Sequence, residues 1–355
     1  MTKAIQTAVV GVTGYAGVEL ARLLLRHPRL KSAPPIFAGR VEEKDIARGG
    51  IPLAELHPEL ANSNGTGKLK LQPFSWELLA ERGIEVLFLA TPHEQSREWV
   101  PQALERGLRV IDLSGAWRLN DAAHRVIYGF EDEGTEQAHA TQEQAVYGMP
   151  ELHRERIAGA RLVANPGCYA TSIILALKPL MAAELIDLDR GIVCDAKSGV
   201  SGAGKAPTAK THFMHAADNL SAYAVFTHRH TGELLEQIGV GASDLVFTPH
   251  LLPIPRGILS TIYVRFREAQ TRERILDIYR EFFIESPMVR IYDKVLPQIQ
   301  YSLRTSYADI GFQLAEDGRR AVIVSCLDNL LKGASSQAVQ NLNVMQGWGE
   351  AEGLE

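Results

Sequence analysis

Cys168 is the residue of this chain with the clearest capacity for covalent chemistry. It follows the turn Asn165-Pro166-Gly167 and precedes a stretch rich in isoleucine, leucine and alanine, which predicts a helix over 171–183. A cysteine at a helix N-terminus faces the positive end of the helix dipole and free N–H groups, and both favour the thiolate. Position alone leaves a second interpretation open, because free cysteines are commonly small buried hydrophobic residues.

The pair His228 and His230 is the next candidate, because a nucleophilic thiol needs an acid and base beside it. One residue separates the two histidines, and both lie downstream of Cys168. On a strand, alternate residues point to the same side, so both rings would face one site. We favour His228 as the acid and base and keep His230 as the alternative.

Ser114 and Arg118 are candidates for binding an anionic group of a substrate. They follow a strand-like run at 109–113, and α/β proteins bind ligands at the carboxyl ends of parallel strands. A hydroxyl and a planar guanidinium suit phosphate or carboxylate. A structural ion pair is the alternative role for Arg118. We also predict that Asn165, in the turn before Cys168, binds substrate.

A glycine-rich turn near the N-terminus predicts a dinucleotide site. Gly11, Gly14 and Gly17 stand between an apolar run at 7–10 and a leucine-rich, helix-like stretch at 18–25. The glycines permit a tight turn, close approach of the backbone to a pyrophosphate, and close helix packing, with the pyrophosphate at the helix N-terminus. The spacing differs from the usual GxGxxG, so the prediction depends on the position between strand and helix.

The end of the next predicted strand, at 35–38, indicates which dinucleotide binds. NAD sites usually place an acid there for the ribose 2′-hydroxyl, whereas NADP sites place an arginine for the 2′-phosphate. Arg40 follows this strand, and acids appear only at Glu42 and Glu43. The sequence therefore favours NADP(H) as the cofactor.

The elements that must position these residues alternate between strand and helix in the first half of the chain. Strand-like runs at 84–90 and 109–113 flank a helix-like stretch at 95–105, a pattern that predicts a doubly wound, Rossmann-type parallel sheet. Residues 49–75 contain glycine, proline and asparagine, and we expect them to form surface loops.

The second half of the chain shows a different pattern. Predicted strands at 306–314 and 320–326 are joined by a turn of hairpin type, which indicates a mixed or antiparallel sheet in an α+β domain. We predict a dinucleotide-binding domain at 1–164, completed by a C-terminal helix at 327–355, and a catalytic, substrate and oligomerisation domain at 165–326. Residues 347–355 are expected to be frayed.

Composition excludes several classes of protein. The chain has 355 residues and a formal net charge of −5, which argues against a nucleic-acid binder that depends on phosphate contacts. No apolar run is long enough for a membrane span, and residues 1–6 enter a strand-like run without a leader. Three widely spaced cysteines indicate a reducing compartment, so we expect a cytoplasmic protein without disulfides or a bound metal.

Eight motifs in one order resemble those of the N-acetyl-γ-glutamyl-phosphate reductase family, which is related to aspartate-semialdehyde dehydrogenase. The resemblance covers about residues 9–347, and its most diagnostic motifs are the segments around Cys168 and His228. The motifs are GVTGYAG at Gly11, PH at Pro92, DLSGAWRL at Asp112, YGMPEL at Tyr147, ANPGCYAT at Ala164, SGVSGAGK at Ser198, HRHTGE at His228 and DNLLKGASSQAVQN at Asp328.

The resemblance implies an enzyme of arginine biosynthesis. It would reduce N-acetyl-γ-glutamyl phosphate to N-acetylglutamate semialdehyde with NADPH, through a thioester on Cys168, with one histidine of the HRH motif as acid and base. The residues that match the family's cofactor segments are Gly11, Thr13, Gly14, Tyr15, Ala16, Gly17, Asn329 and Lys332. The expected partners are the acyl phosphate, inorganic phosphate and further copies of this chain in a homodimer or homotetramer.

Other functions remain open at this point. Within the same chemistry, the substrate is alternatively aspartyl phosphate or an aminoadipyl phosphate. A nucleotide-sensing protein without catalysis would need an inert Cys168. A zinc protein would need ligands such as Cys168, Cys194 and His228, whose spacing matches no standard zinc site.

Overall fold

The structure is a computed structural model, and it describes residues 5–61 and 68–355. The chain forms two compact units, each built around its own sheet. Unit 1 comprises Met1–Arg118, Phe130–Asn165 and Ser335–Glu355, and unit 2 comprises Leu119–Gly129 and Pro166–Ala334. The predicted domain boundaries remain a prediction about functional domains. The compact units differ from them in that residues 119–129 and 327–334 belong to unit 2 and Asn165 belongs to unit 1.

The strands and helices follow one another in a regular alternation through the first half of the chain. The strands are β1 Thr7–Val10, β2 Ile36–Gly39, β3 Ile51–Pro52, β4 Lys70–Pro73, β5 Val86–Leu89, β6 Arg109–Asp112, β7 Ala145–Tyr147, β8 Leu162–Ala164, β9 Ile192–Gly199, β10 Ser221–Ala222, β11 Leu245–Leu252, β12 Ile258–Arg265, β13 Val289–Tyr292, β14 Ala308–Leu314 and β15 Arg320–Leu327. The α-helices are α1 Tyr15–Arg26, α2 Glu43–Ile46, α3 Leu53–Leu56, α4 Trp76–Glu81, α5 His93–Glu105, α6 Ala122–Arg125, α7 Glu136–Gln144, α8 Pro150–Ala158, α9 Cys168–Ala182, α10 Phe213–Ala216, α11 Thr231–Ile238, α12 Arg272–Phe282, α13 Ile299–Ser302 and α14 Ser336–Met345.

Unit 1 contains an eight-stranded sheet in the order β3-β4-β2-β1-β5-β6-β8-β7. All neighbouring strands are parallel except β3 and β4. The central strands β1 and β5 are buried along their whole length, which is typical of parallel strands covered on both faces. The chain runs from β1 to one side of the sheet and then returns to β5 on the other side. A ligand-binding crevice is expected where the direction of winding reverses, at the carboxyl ends of β1 and β5.

The prediction of surface loops at 49–75 is wrong for part of that range. Residues 62–67 lie outside the described part of the chain, but β4 is a parallel strand beside β2, with Leu71 opposite Phe37. Leu71 is the only fully buried residue of β4, so the apolar signal in the sequence is too short to reveal a strand. Pairing with β2 within the unit determines the conformation.

Unit 2 contains a seven-stranded mixed sheet in the order β10-β11-β9-β12-β15-β14-β13. The pairs β9–β11 and β13–β14 are parallel, and the other neighbours are antiparallel. With the parallel sheet of unit 1, this arrangement confirms the predicted fold class and the predicted hairpin of β14 and β15. The apolar helix α9 packs against β12 and β15, and the hydroxyl of Ser172 lies within hydrogen-bond distance of the hydroxyls of Ser260, at 2.9 Å, and Ser325, at 3.1 Å.

The prediction that residues 347–355 are frayed is wrong. Within unit 1, Arg154 binds Glu350 at 2.7 Å and Arg29 binds Glu352 at 2.8 Å. Leu354 is buried. Residues 347–355 are short and mostly polar, so their sequence shows no helix or strand periodicity. Their order depends on ion pairs with residues far away in the sequence and on the burial of Leu354.

Candidate active site

The glycine-rich turn between β1 and α1 has the geometry that a dinucleotide requires. Gly11 has a φ of +99°, and a Cβ there would lie 2.2 Å from the carbonyl oxygen of Ala90, at the end of the neighbouring strand β5. A Cβ on Gly17 would lie 2.1 Å from the carbonyl oxygen of Gly11. Glycine is therefore required at both positions, which brings α1 close to the carboxyl ends of β1 and β5.

The outer side of this turn is open to a ligand. A Cβ on Gly14 would come no closer than 3.6 Å to the Gly11 carbonyl oxygen, and Thr13 and Tyr15 are exposed. The first turn of α1 presents N–H groups that have no acceptor within the helix. Arg40 is exposed just beyond the carboxyl end of β2. The donors and the narrow backbone approach fit a pyrophosphate, and the position of Arg40 fits a 2′-phosphate.

His57 supports the same turn, and the sequence gave no reason to expect it. Its Nε2 lies 2.8 Å from the carbonyl oxygen of Val12, and the side chain is buried. The Ser335 hydroxyl donates to the carbonyl oxygen of Ala16 at 2.7 Å. Contacts from distant parts of the chain therefore fix the turn from two directions.

Ser114, Arg118 and Asn165 are all buried in unit 1. The Ser114 hydroxyl donates to Asp112 at 2.7 Å, and the Arg118 Nε donates to the carbonyl oxygen of Asn165 at 2.7 Å. The side-chain oxygen of Asn165 accepts from Asn341 at 3.0 Å. These contacts hold the loop after β6 in place. The proposed role of the three residues in substrate binding stays a prediction.

Cys168 is the first residue of α9 and lines a cavity of about 270 Å³ in unit 2. Both the N–H and the hydroxyl of Thr171 donate to the carbonyl oxygen of Gly167, which begins the helix at the predicted place. A Cβ on Gly333 would lie 2.7 Å from the Cβ of Cys168. Glycine at position 333 therefore allows the π-helical turn Leu331–Ser335 to pass beside the cysteine.

The two histidines of the HRH motif line the same cavity, although the reason given for this expectation is wrong. They do not lie on a strand but in a turn that leads into α11. The N–H of His230 donates to Nδ1 of His228 at 3.1 Å, and the ring centroids are 4.7 Å apart. The turn thus brings the rings together by direct contact instead of by strand periodicity.

His228 has the environment of a neutral imidazole. Burial, with Arg229 as a second cause, lowers the pKa of His228 to about 4. Because Nδ1 accepts the N–H of His230, the ring proton is on Nε2, which lies 3.5 Å from the hydroxyl of Tyr223. His228 is therefore uncharged near neutral pH and orients its neighbours.

His230 lies directly over the turn that precedes the cysteine. A Cβ on Gly167 would lie 2.4 Å from Nε2 of His230, so the ring fills the space that a larger residue would occupy. The same Nε2 lies 4.0 Å from a carboxylate oxygen of Glu233, and the other oxygen of Glu233 accepts the N–H of Gly167 at 2.9 Å. Glu233 is completely buried. One carboxylate therefore bonds to the turn before Cys168 and lies near the ring of His230.

Glu233 is the functional residue that sequence reasoning missed. It was part of the HRHTGE motif, but no role was given to it. An acid three residues after a histidine at a helix start lies on the same face of that helix. This spacing was the available signal, and its meaning depended on placing His230 at the N-cap of α11.

Asn329 and Lys332, predicted as cofactor residues, are buried in unit 2. The side-chain oxygen of Asn329 accepts the N–H of Gly257 at 2.8 Å, and its nitrogen donates to the hydroxyl of Ser201 at 2.9 Å. Asn329 therefore ties the end of β15 to the loop after β9. Contact of either residue with the cofactor stays a prediction.

The other two cysteines have a different environment from Cys168. Cys194 and Cys326 are buried within strands, and burial raises the pKa of Cys326 to about 12 and that of Cys194 further. Both remain thiols at neutral pH.

Across residues 5–61 and 68–355, no group of three or more metal-binding side chains is gathered. In the same ranges, every helix is too short or too polar to cross a membrane.

Two family models match this chain. The semialdehyde dehydrogenase NAD binding domain matches residues 6–160, and the semialdehyde dehydrogenase dimerisation domain matches residues 168–329. Among solved structures, aspartate semialdehyde dehydrogenase II of Vibrio cholerae complexed with ASA is similar with a TM-score of 0.72. The match covers 98% of this chain and 99% of the Vibrio cholerae chain at 18% identity. At this identity the similarity supports the fold alone.

Three relatives named N-acetyl-gamma-glutamyl-phosphate reductase match this chain over nearly its full length. The protein of Dehalococcoides mccartyi (strain CBDB1) is 41% identical over 99% of this chain and 98% of the relative. That of Escherichia coli (strain K12) is 41% identical over 99% of both chains. That of Methanocaldococcus jannaschii is 40% identical over 98% of this chain and 97% of the relative.

The variant Gly17→Ala is expected to destabilise unit 1, although alanine in a helix usually stabilises by about 1 kcal/mol relative to glycine. The added Cβ would overlap the carbonyl oxygen of Gly11, so the turn must move. We expect the free energy of unfolding to fall by about 1–3 kcal/mol and NADPH to bind more weakly. Thermal unfolding and fluorescence titration measure the two effects.

Gly134→Ala is the matched control, because a Cβ there would meet no atom within 4 Å. It is expected to leave stability and NADPH binding unchanged. A Gly17→Ala protein as stable as the wild type would contradict the close approach of α1 to Gly11.

Acidification is expected to weaken folding through His228. Its pKa is about 4 in the folded protein, whereas the ordinary value is 6.5. Between these values the unfolded chain binds a proton that the folded chain does not, so the free energy of unfolding falls as the pH decreases from 6.5 to about 4. We expect a loss of about 1–3 kcal/mol from this residue, measured by urea unfolding at several pH values.

His228→Asn is the comparison variant, because its side-chain oxygen can accept the N–H of His230 but does not titrate. It is expected to lose less stability on acidification than the wild type. Equal losses in both proteins would show that His228 does not contribute.

Proposed function

The chain belongs to the N-acetyl-gamma-glutamyl-phosphate reductase family, and on that premise we propose that it converts N-acetyl-γ-glutamyl phosphate and NADPH into N-acetylglutamate semialdehyde, phosphate and NADP+. It is thus an oxidoreductase of arginine biosynthesis. The observation that carries the proposal is the cavity of unit 2, where Cys168 at a helix N-terminus is joined by His230. The buried Glu233 lies outside the cavity lining and accepts the N–H of Gly167, the residue before the cysteine.

Cys168 is the proposed nucleophile. Its place at the first residue of α9 favours the thiolate, because the helix dipole and free N–H groups stabilise negative charge there. The thiolate attacks the carbonyl carbon of the acyl phosphate, a C–S bond forms, the C–O bond to phosphate breaks, and inorganic phosphate leaves. The N–H groups of the first turn of α9 are donors for the oxyanion that develops during this attack.

His230 is proposed as the acid and base, in place of the favoured His228. An acid and base histidine is commonly accompanied by a carboxylate, and Glu233 lies 4.0 Å from Nε2 of His230. His230 takes the proton from the Cys168 thiol and donates a proton to the oxygen of the carbonyl group being reduced. It takes this proton back when the C–S bond breaks, which releases the aldehyde and restores the thiolate of Cys168. His228 is a positioning residue, because its Nδ1 accepts the N–H of His230.

NADPH supplies a hydride when it is bound, and the glycine-rich turn of unit 1 fits its pyrophosphate. We propose that Thr13, Tyr15 and Ala16 line this site around the three glycines and that Arg40 binds the 2′-phosphate. Asn329 and Lys332 are retained as cofactor residues, and Ser114, Arg118 and Asn165 as substrate residues. Because these five side chains are buried, we propose that they act mainly by shaping the loops that contact the ligands.

A homodimer, or a tetramer built from it, is proposed for the assembly. The outer face of the unit 2 sheet exposes Val193, Val246 and Tyr263 on neighbouring strands, and an apolar sheet face of this kind is normally covered. The family model for this unit is named a dimerisation domain. A second copy of the chain is therefore the proposed occupant of this sheet face, and sedimentation velocity tests the assembly.

The free thiols of all three cysteines support a cytoplasmic location.

Cys168→Ser is expected to abolish turnover while NADPH still binds, because a serine hydroxyl at this place is not ionised near neutral pH. We expect a decrease in kcat of at least about 1,000-fold. The assay follows formation of NADPH from NADP+, phosphate and N-acetylglutamate semialdehyde. Aspartate semialdehyde is the comparison substrate and is expected to be used poorly.

Cys194→Ala is the matched control, since this thiol is buried away from the cavity and remains protonated. Its kcat is expected to be close to that of the wild type. Near-wild-type turnover by Cys168→Ser would refute the assignment of the nucleophile, and a preference for aspartate semialdehyde would refute the substrate.

The variants His230→Asn and His228→Asn are expected to differ. Loss of the acid and base decreases kcat by about 100-fold or more, whereas loss of a positioning residue that keeps an acceptor has a smaller effect. The pH dependence of kcat in His228→Asn should retain the ionisation seen in the wild type, and His230→Asn should lose it. The reverse result would restore His228 as the acid and base.

A further inference from the structure

Two cations line the cavity of unit 2 and take no part in the chemistry at Cys168. They are Lys210 and Arg229, and within the described ranges no carboxylate lines this cavity. Hydroxyl groups and apolar side chains form most of the remaining wall, including Ser221, Tyr223 and Leu251. Such a wall suits a small ligand with an anionic group and a short apolar part.

The backbone that carries Lys210 is held by a local capping box. Thr208 and Thr211 exchange hydrogen bonds at 3.0 and 3.3 Å around the short turn Ala209–Thr211. The Nζ atom of Lys210 lies 6.0 Å from the centre of the Tyr223 ring. The capping box therefore fixes the backbone from which Lys210, an exposed side chain, reaches the aromatic wall of the cavity.

Arg229 lies between the two histidines in the sequence, and its charge acts on the same wall. Its guanidinium carbon lies 6.0 Å from the centre of the Tyr128 ring. After burial, its positive charge is the second cause of the lowered pKa of His228. Both cations are therefore near the part of the cavity formed by Tyr223 and His228.

A series of neighbouring rings lies between the cations and the nucleophile. His230 covers Gly167, the residue before the cysteine. The ring of His228 is 4.7 Å from that of His230, the ring of Tyr223 is 5.6 Å from that of His228, and Lys210 lies next to Tyr223. The nucleophile and the two cations thus line one cavity, connected by a continuous series of rings.

We propose that Lys210 and Arg229 bind the α-carboxylate of the N-acetylglutamyl substrate and thereby help to select it. The proposal rests on the proposed function of the same cavity. In this substrate the reacting carbonyl and the α-carboxylate are at opposite ends of a short methylene chain, so one bound molecule can present its carbonyl to Cys168 and its carboxylate to cations that line the same cavity. The phosphate is the other anion of the substrate, but it leaves from the reacting carbonyl next to the sulfur.

The test compares two aldehydes in the reaction with NADP+ and phosphate: N-acetylglutamate semialdehyde and its α-carboxamide. Removing a charge-assisted hydrogen bond is expected to raise KM about ten-fold. Lys210→Met should therefore raise KM for the carboxylate substrate by about this factor, with kcat within about two-fold of the wild type. KM for the carboxamide and for phosphate should not change. Arg229→Met should behave similarly.

Two further variants complete the experiment. Lys210→Arg is expected to restore a low KM for the carboxylate substrate, because the cation is retained. Lys294→Met is the matched control, since Lys294 is exposed and does not line the cavity. It should leave every KM unchanged.

Three results would overturn the inference. Equal increases in KM for both aldehydes in Lys210→Met would show that the carboxylate is not the partner. An increase for phosphate alone would show that the cations hold the leaving group. An unchanged KM in both Lys210→Met and Arg229→Met would show that neither cation contacts substrate. Failure of the proposed function has a different signature, because wild-type enzyme would then turn over neither aldehyde.

Discussion

The buried carboxylate of Glu233 is the group on which the candidate active site depends. A completely buried acid is costly unless its oxygens are bonded, and here one oxygen accepts the N–H of Gly167 while the other faces His230. The first contact fixes the turn that places the cysteine at the start of α9. The second oxygen lies 4.0 Å from the ring of His230, which covers the same turn. Removal of this carboxylate would free the N–H of Gly167, so the position of Cys168 relative to His230 depends on a residue that is neither the proposed nucleophile nor the proposed base.

Glycine has a complementary role, because it provides space where two elements must meet. Gly17 allows α1 to approach Gly11, Gly167 makes room for His230, and Gly333 allows a turn to pass beside Cys168. In each case a methyl group would overlap a neighbour. The glycine-rich turn and the candidate active site therefore share one feature: a helix N-terminus is approached closely because glycine stands at the points of contact.

The sequence was sufficient to predict the fold class and the helix start at Cys168, because long apolar runs and turn residues report directly on local structure. It was not sufficient for β4, whose single buried leucine is recognisable only when β2 lies beside it. The histidine pair shows the same limit. Both residues were found, but the choice between them depends on Glu233 and on which nitrogen accepts a hydrogen bond. That information arises from packing between α9 and α11, which are separated in the sequence by more than forty residues.

The order of the chain through the two units has a consequence for synthesis. Unit 1 takes residues from both sides of unit 2, and its helix α14 is buried along its whole length. The ribosome makes α14 only after all of unit 2. During translation, unit 2 can therefore close around its own sheet while the parallel sheet of unit 1 still lacks a helix. Until α14 is synthesised, the apolar surface of unit 1 that this helix covers remains exposed to solvent. Chaperones would bind the nascent chain during this interval.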